Sequence, residues 1–403
     1  MSSADLATPT ARRALVFCFL AALCEGVDLQ AAGVAAGGIS REFLPTAAEK
    51  GYFFSASTFG LFLGALFGGW IADRIGRKKV LLASITTFGV FSILTTLAPT
   101  MAILTGARLL TGLGLGGALP NLIAVAAETS PPARRNASIA MMYIGMPLGG
   151  AIASLIVLLI EVSQWRAVFL AGGIAPLLIA PLMALYMPAL PRAEVAGHLA
   201  PQGVMDALRE IFGEGRAGRT LLLWAACFLA LLTLYLLLNW LPTLLEGRGL
   251  SKSQAAGAQI AFNVGGAACA VLVGKMLDSR YRRAGIIGAF TAVLIALFGL
   301  GNLTLATESV LVLTLLLGGG VIASQGILYG IAADCYSAAH RGAGVGAAIA
   351  LGRIGSIAGP LLAAVLIGAG RTPAEVLTGI APIVIVCGVV VAVLGWSRSA
   401  QRA

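Results

Sequence analysis

Long apolar runs separated by short polar segments set the pattern of residues along this chain. Twelve runs reach the ~20 residues that cross a hydrocarbon core about 30 Å thick. They lie at 14–37, 52–72, 80–98, 102–126, 136–160 and 167–188, and again at 220–241, 254–277, 284–304, 309–333, 342–367 and 374–396. A more polar segment, 190–218, separates the two sets. The pattern predicts an all-α membrane protein with twelve transmembrane helices in two blocks of six.

The composition supports lipid as the surrounding medium. The chain has 403 residues, of which 59% are hydrophobic and 11% are charged, whereas a soluble domain is typically about 25% charged. A soluble fold of this length could not hide so much apolar surface, because part of it must face outward. The net charge of +10 does not indicate nucleic acid, since the cations cluster at the ends of the apolar runs. The bilayer is the expected partner.

The distribution of lysine and arginine predicts an orientation. With the N-terminus placed inside, nineteen of the 27 cations fall on the inner side and six on the outer side. The positive-inside rule therefore puts both termini in the cytoplasm. We expect an N-terminal bundle in 1–189, a cytoplasmic central loop in 190–218 and a C-terminal bundle in 219–403 of a multi-pass protein in a bacterial-type inner membrane.

The two halves repeat a short charged pattern. Residues 69–77, from Gly69 through Asp73 to Arg77, match residues 274–282, and Glu128 with Arg135 matches Asp334 with Arg341 at nearly the same offset. Two pseudo-symmetric six-helix halves are an architecture of secondary transporters, which bind substrate near the midplane between the repeats. We predict that these charges latch a cytoplasmic gate, the alternative being positive charges that only set topology. The gate residues are Asp73, Arg77, Glu128, Arg135, Asp278, Asp334 and Arg341.

Three stretches resemble those of a known family. Residues 69–79 resemble the signature loop of the major facilitator superfamily, and residues 108–117 are similar to its second motif. Within it, residues 25–33, Glu-Gly-Val-Asp-Leu-Gln-Ala-Ala-Gly, resemble the first-helix motif of the aromatic acid:proton symporter family. The corresponding segment of the second half, residues 274–282, departs from the signature at Ser279 and Tyr281. The resemblance implies the major facilitator fold and proton-coupled transport of a small aromatic carboxylate.

Two acids lie inside the first apolar run. Glu25 and Asp28 are spaced i, i+3, so they share one face of a helix. Carboxylates at membrane depth are costly and usually functional, and two close carboxylates repel each other as they lose solvation. We predict that Asp28 carries the coupled proton and that Glu25, which replaces an aspartate common in the family, is its partner. The alternative is a structural hydrogen bond or a pairing with Arg108.

Two arginines lie within the spans. Arg108 is expected either to help release a proton from the span-1 acids, or to form a static ion pair or reach the outer surface. Arg353 lies twelve residues beyond Arg341, hence about 18 Å into its helix. Its fork-shaped guanidinium suits bidentate capture of a substrate carboxylate. Ion pairing with a span-1 acid and bonding to backbone carbonyls remain alternatives.

Further substrate contacts follow from the resemblance, which implies that spans 1, 4, 7 and 10 line the cavity. A planar aromatic acid needs ring contacts and polar partners. Each candidate is otherwise explained by helix packing. The candidates on those spans are Gln30, Asn121, Tyr235, Asn239, Gln325 and Tyr329.

The function expected is import of a small aromatic carboxylate, such as 3-(3-hydroxyphenyl)propionate or a hydroxybenzoate, with protons and by alternating access. No cofactor is expected, because the chain lacks a GxxxxGK[ST] phosphate loop, so the proton gradient would drive transport. No metal site and no enzyme activity are expected, since the two histidines, 198 and 340, lie outside the spans. A monomer is expected. The alternative is a proton-coupled exporter, which residues 145–150 favour weakly because they resemble an exporter motif.

Overall fold

A computed structural model describes residues 9–131, 135–187, 211–213, 215–277, 282–303, 306–336 and 341–396. Its regular elements are all helical within those ranges. The described helices form two compact units, Met1–Glu194 and Val195–Ala403. Most of the predicted central loop lies outside the described residues. The helices of the first unit are α1 (Pro9–Phe43), α2 (Ala47–Ile75), α3 (Arg77–Thr96), α4 (Met101–Glu128), α5 (Arg135–Leu159) and α6 (Arg166–Tyr186).

The second unit repeats this order of long helices. Eleven spans within the described residues, six of them in the first unit, are long and apolar enough to cross a membrane. The remaining long helix, α8, contains the buried polar residues Gln259 and Asn263. The helices are α7 (Ala217–Gly247), α8 (Lys252–Leu277), α9 (Arg282–Asn302), α10 (Thr307–Cys335), α11 (Arg341–Gly368), α12 (Pro373–Gly379) and α13 (Ala381–Trp396).

The last predicted span is divided into two helices. One run at 374–396 was expected, but α12 ends at Gly379 and α13 begins at Ala381. The following residue is Pro382, which has no backbone N–H to bond the carbonyl of Thr378 four residues earlier. The proline therefore explains the break, while α12 and α13 together still form one candidate span.

Glycines bring α2 and α4 together in the first unit. A Cβ on Gly60 would overlap the backbone oxygen of Leu109, and one on Gly112 would overlap the backbone oxygen of Ser57. Small residues at such positions let helix backbones approach closely, which is the main source of packing between helices in lipid. Each glycine thus accommodates the backbone of the opposite helix.

The same contacts recur between α8 and α10 in the second unit. A Cβ on Gly265 would overlap the backbone oxygen of Leu315, and one on Gly318 would overlap that of Phe262. Gly60 and Gly265 differ by 205 in residue number, and Gly112 and Gly318 differ by 206. The charged repeat in the sequence has the same offsets, so the duplication extends to the packing of the helices.

A second repeated contact joins α1 to α5 and α7 to α11. A Cβ on Gly145 would lie 2.9 Å from the backbone oxygen of Phe19. A Cβ on Gly355 would overlap the backbone oxygen of Phe228. Gly355 follows Gly145 by 210 positions, and Phe228 follows Phe19 by 209 positions. The two units therefore share a framework of glycine contacts, while the polar side chains on that framework differ.

We expect Gly112→Val to destabilise the protein much more than Gly106→Val. Both residues are on α4, but a Cβ on Gly112 would meet backbone, whereas one on Gly106 would meet nothing within 4 Å. Overpacking against backbone typically costs about 1–3 kcal/mol. The melting temperatures of the detergent-purified variants measure the difference. The loss of monodisperse protein on heating reports the melting. Equal melting temperatures would contradict the α2–α4 contact.

Candidate functional site

The two acids of α1 lie in the interior of the first unit. Neither Glu25 nor Asp28 has any solvent exposure. Because α1 is one continuous helix, their i, i+3 spacing places both on one side of it. The structure thus buries both carboxylates in this conformation, and their partners decide what they can do.

Arg108 of α4 pairs with Asp28. Its Nη1 atom lies 2.9 Å from each carboxylate oxygen of Asp28, and neither side chain is exposed. Its Nη2 atom donates to the backbone oxygen of Asp28 at 3.0 Å and to Ser57 Oγ at 3.2 Å. Of the alternatives that the sequence left open, the structure shows an ion pair and not a side chain that reaches the membrane surface.

The glycine contacts explain how Arg108 reaches these partners. Gly112 follows Arg108 by one helical turn and lies against the backbone of Ser57. Gly26 of α1 similarly lies against the backbone of Met146 on α5. Close approach of α4 to α2 therefore allows the guanidinium to contact both a hydroxyl of α2 and the carboxylate of α1.

Ser92 and Phe169 complete the surroundings of the ion pair, and the sequence did not predict either one. Ser92 Oγ on α3 lies 2.7 Å from Asp28 Oδ1 and 3.0 Å from the backbone oxygen of Phe169 on α6. The Phe169 ring lies 5.3 Å from the guanidinium carbon of Arg108, within cation–π range. Five helices of the first unit thus meet at Asp28 and Arg108.

Charged and aromatic residues join α1, α3 and α6 at one end of the first unit. Glu42 receives a bidentate pair of 2.5 Å bonds from Arg166 and a 2.9 Å bond from Trp165 Nε1. Arg166 Nε also donates to the backbone oxygen of Thr96 at 2.9 Å. Bidentate arginine–carboxylate pairs fix orientation as well as distance. This clamp holds the start of α6 against α1, one turn from Phe169.

Arg353 contacts aromatic residues within the second unit. It lies on α11 and donates from Nη1 to Tyr235 Oη on α7 at 3.0 Å. Tyr329 on α10 lies close enough to both of them for electrostatic interaction. Two of the predicted substrate residues, Arg353 and Tyr235, are therefore bonded to each other, and the phenol group of Tyr329 lies within electrostatic range.

The other predicted substrate residues make contacts typical of helix packing. The amide nitrogens of Asn121 and Asn239 each donate, at 2.8 Å, to a carbonyl oxygen one turn earlier in the same helix. The amide of Gln30 fills the space beside Gly150, where a Cβ would overlap it, and Gln325 is buried. For these four residues, contact with substrate stays a prediction.

The predicted gate is described in part. Arg77, at the start of α3, forms an ion pair with Glu128 at the end of α4. Lys78 Nζ donates to the backbone oxygens of Ala184 at 2.9 Å and Met187 at 2.5 Å, so it caps the end of α6. The start of α3 is thus bonded to two other helix ends. The remaining gate side chains lie outside the described residues: Asp73, Arg135, Asp278, Asp334 and Arg341.

Comparison with known proteins identifies the family. Residues 18–360 match the model of the Major Facilitator Superfamily. The bacterial homolog of the human lysosomal transporter Spinster, solved in an inward-facing and unoccupied conformation, has the same fold. The two chains superpose with a TM-score of 0.76 at 17% identity, over 96% of this chain and 97% of that one. The prediction of an all-helical transporter fold, and not of an enzyme, is confirmed.

Two relatives are similar over nearly their whole length. The 3-(3-hydroxyphenyl)propionate transporter of Escherichia coli is 38% identical over 95% of this chain and 93% of its own. The 4-hydroxybenzoate transporter of Pseudomonas putida is 32% identical over 91% and 89%, respectively. The chain therefore belongs to the Major Facilitator Superfamily, as a multi-pass membrane transporter related to transporters of aromatic acids.

Proposed function

We propose that this transporter is a proton-coupled symporter that imports a small aromatic carboxylate by alternating access. The observation that carries the proposal is the fully buried ion pair between Asp28 and Arg108. A carboxylate at this depth is costly unless it is paired or neutralised. The Asp28 carboxylate can be paired with Arg108 or neutralised by a proton. Replacement of the ion pair by a proton would couple proton binding to a change of conformation.

The energy of such an exchange is comparable with the energy that a conformational change requires. Removing one charge of a buried ion pair typically costs about 3–5 kcal/mol. Reversing a two-state equilibrium from 1:99 to 99:1 requires about 5.5 kcal/mol. Protonation of Asp28 would thus supply a major part of the free energy that shifts the transporter between access states. Glu25, buried on the same face, is proposed as the partner of Asp28.

The proposed substrate is a carboxylate with an aromatic ring, such as 3-(3-hydroxyphenyl)propionate or a hydroxybenzoate. Arg353 supplies a cation suited to a carboxylate. Tyr235 places a phenol group beside it, and the phenol group of Tyr329 lies within electrostatic range. Both relatives are transporters of acids of this class. The proposed order is proton binding at Asp28, substrate binding at Arg353, and release of both into the cytoplasm.

The exporter alternative has less support than import. Its basis was the resemblance of residues 145–150 to an exporter motif. Gly145 and Gly149 lie against the backbone of α1, and Gly355 and Gly359 make the same contacts between α11 and α7. The two glycines that recur in the other unit are explained by helix packing, whatever the direction of transport.

The test of the proposal is uptake into vesicles with an imposed inward proton gradient. We expect labelled 3-(3-hydroxyphenyl)propionate or 4-hydroxybenzoate to accumulate above its equilibrium level, and a protonophore to abolish the accumulation. The medium should become alkaline when substrate is added. Extrusion would support an exporter instead, and uptake indifferent to the gradient would indicate a passive facilitator. Competition by a panel of aromatic acids would then rank substrates.

The remaining parts of the proposal concern the membrane. The excess of cations on one side of the spans supports cytoplasmic termini in a bacterial-type inner membrane. Reaction of single cysteines placed near either terminus with an impermeant thiol reagent tests this orientation. The transporter is proposed to function as a monomer.

A further inference from the structure

We propose that Ser92 is a positioning residue that bonds Asp28 in both of its protonation states. In this Ser92 switch, the hydroxyl donates to the ionised carboxylate. It turns to the backbone oxygen of Phe169 when Asp28 holds a proton, and then accepts that proton in a hydrogen bond. The proposal deepens proton carriage by Asp28 and rests on it.

The geometry provides two acceptors for one donor. Ser92 Oγ lies within hydrogen-bond distance of both Asp28 Oδ1, at 2.7 Å, and the backbone oxygen of Phe169, at 3.0 Å. A serine hydroxyl has one hydrogen and two lone pairs. It can therefore donate to only one of these oxygens at a time. While Asp28 is ionised and paired with Arg108, the hydroxyl donates to the carboxylate.

A protonated Asp28 requires a hydrogen-bond acceptor, which Arg108 cannot provide. A protonated carboxyl group is a hydrogen-bond donor, and leaving a buried donor unsatisfied is unfavourable. Of the two side chains bonded to Asp28, arginine offers donors only, whereas serine offers lone pairs. Ser92 accepts the new O–H bond, and its own hydrogen is then free to turn to Phe169. Asp28 gains one proton from water, and Ser92 keeps its own.

Arg108 keeps other contacts while this happens. Its Nη2 atom is bonded to the backbone oxygen of Asp28 and to Ser57 Oγ, neither of which changes charge. The charged and titratable neighbours of Asp28 within the described residues are Arg108 on α4 and, on α1, Glu25 and Cys24. The neighbours from α3 and α6 are uncharged: Ser92 on α3, and on α6 Gly172, which faces Asp28 Oδ1, and Phe169, whose backbone oxygen faces Ser92. Helix α5 meets this part of α1 with backbone at Met146.

The position of Phe169 is fixed independently of the switch. Phe169 follows Arg166 by three residues, and Arg166 is bonded to Glu42 of α1 and to the backbone of Thr96 on α3. The clamp therefore ties α6 to the two helices that carry Asp28 and Ser92. The second acceptor stays in place whichever way the Ser92 hydroxyl points.

Infrared difference spectra of the reconstituted full-length transporter, recorded between acidic and alkaline pH, test the switch. We expect a band of a protonated, hydrogen-bonded carboxyl group that disappears in Asp28→Asn. In Ser92→Ala the band should move to higher wavenumber, because the O–H has lost its acceptor, and Ser92→Thr should leave it in place. Proton-driven uptake should fall roughly tenfold in Ser92→Ala and recover in Ser92→Thr.

Controls separate the switch from a general loss of packing. Ser154 is also buried, but its hydroxyl is bonded only to a carbonyl of its own helix among the described contacts. Ser154→Ala should leave the carboxyl band unchanged. Ser92→Cys, whose thiol is a weaker partner, should shift the band less than alanine, and it provides a second variant if Ser92→Ala does not fold.

The outcomes distinguish the switch from the proposed function. An Asp28 band that stays in place in Ser92→Ala and Ser92→Cys overturns the switch alone. If Asp28→Asn removes no band, Asp28 does not carry the proton, and both the proposed function and the switch are overturned.

Discussion

Replacing Asp28 with asparagine is expected to abolish proton-driven accumulation of substrate while exchange of substrate across the membrane continues. Asparagine is uncharged and nearly the same size, so it imitates the protonated carboxyl group but can neither take up nor release a proton. Accumulation in vesicles should fall to the equilibrium level, and exchange of labelled for unlabelled substrate should stay within about tenfold of the unaltered rate, or ~1.4 kcal/mol. Uptake and counterflow on the same vesicles measure the two quantities.

The matched control for this substitution is Glu25→Gln. It makes the same chemical change three residues away, at an equally buried position. If Glu25 is a partner and not a second carrier, this variant should slow accumulation without abolishing it. Accumulation that survives in Asp28→Asn but not in Glu25→Gln would reverse the two roles. Because Asp28→Asn removes the ion pair of Arg108, size-exclusion profiles must show that both variants fold.

Replacing Arg353 with lysine is expected to raise the concentration of substrate needed for half-maximal uptake by at least about tenfold, or ~1.4 kcal/mol. Lysine keeps the charge but loses the planar fork that binds a carboxylate with two parallel bonds. It also changes the bond that Arg353 Nη1 donates to Tyr235 Oη. Concentration-dependent initial rates of uptake, with binding measured separately, show whether affinity or turnover is affected.

The control for Arg353 is Arg12→Lys. Arg12 is exposed near the start of α1, where a lysine supplies the same positive charge to the membrane surface. Tyr235→Phe is a second informative variant, because it removes the phenol oxygen beside Arg353 and keeps the ring. Equal effects of Arg353→Lys and Arg12→Lys would remove Arg353 from the substrate site and favour one of its other predicted roles.

The sequence did not distinguish Ser92 from other hydroxyl residues of the spans for a physical reason. A serine or threonine within a helix commonly bonds the carbonyl one turn earlier in its own helix. Thr95, Thr111 and Ser154 all make this bond. Ser92 instead bonds across helices to Asp28. Nothing in the residue type or the local sequence separates the two cases, because the difference depends on which helix lies alongside.

The partner of Asp28 was likewise decided only by packing. The sequence placed two buried acids and two arginines within the spans, and it left open whether Arg108 or Arg353 pairs with an acid. Gly112 brings α4 against α2, and the resulting position of α4 lets Arg108 reach Asp28. A residue spacing within one helix carries no such information, because the contact joins residues 80 positions apart.

The sequence by itself determined the helical class, the two sets of long helices and the presence of charge at depth. It could do so because lipid requires long apolar helices and makes a buried charge stand out against them. The tertiary structure decided which charges pair, that Ser92 and Phe169 join them, and that the glycine contacts repeat between the units. These features depend on distances between helices, and glycines at a few positions set those distances by admitting the backbone of a neighbour.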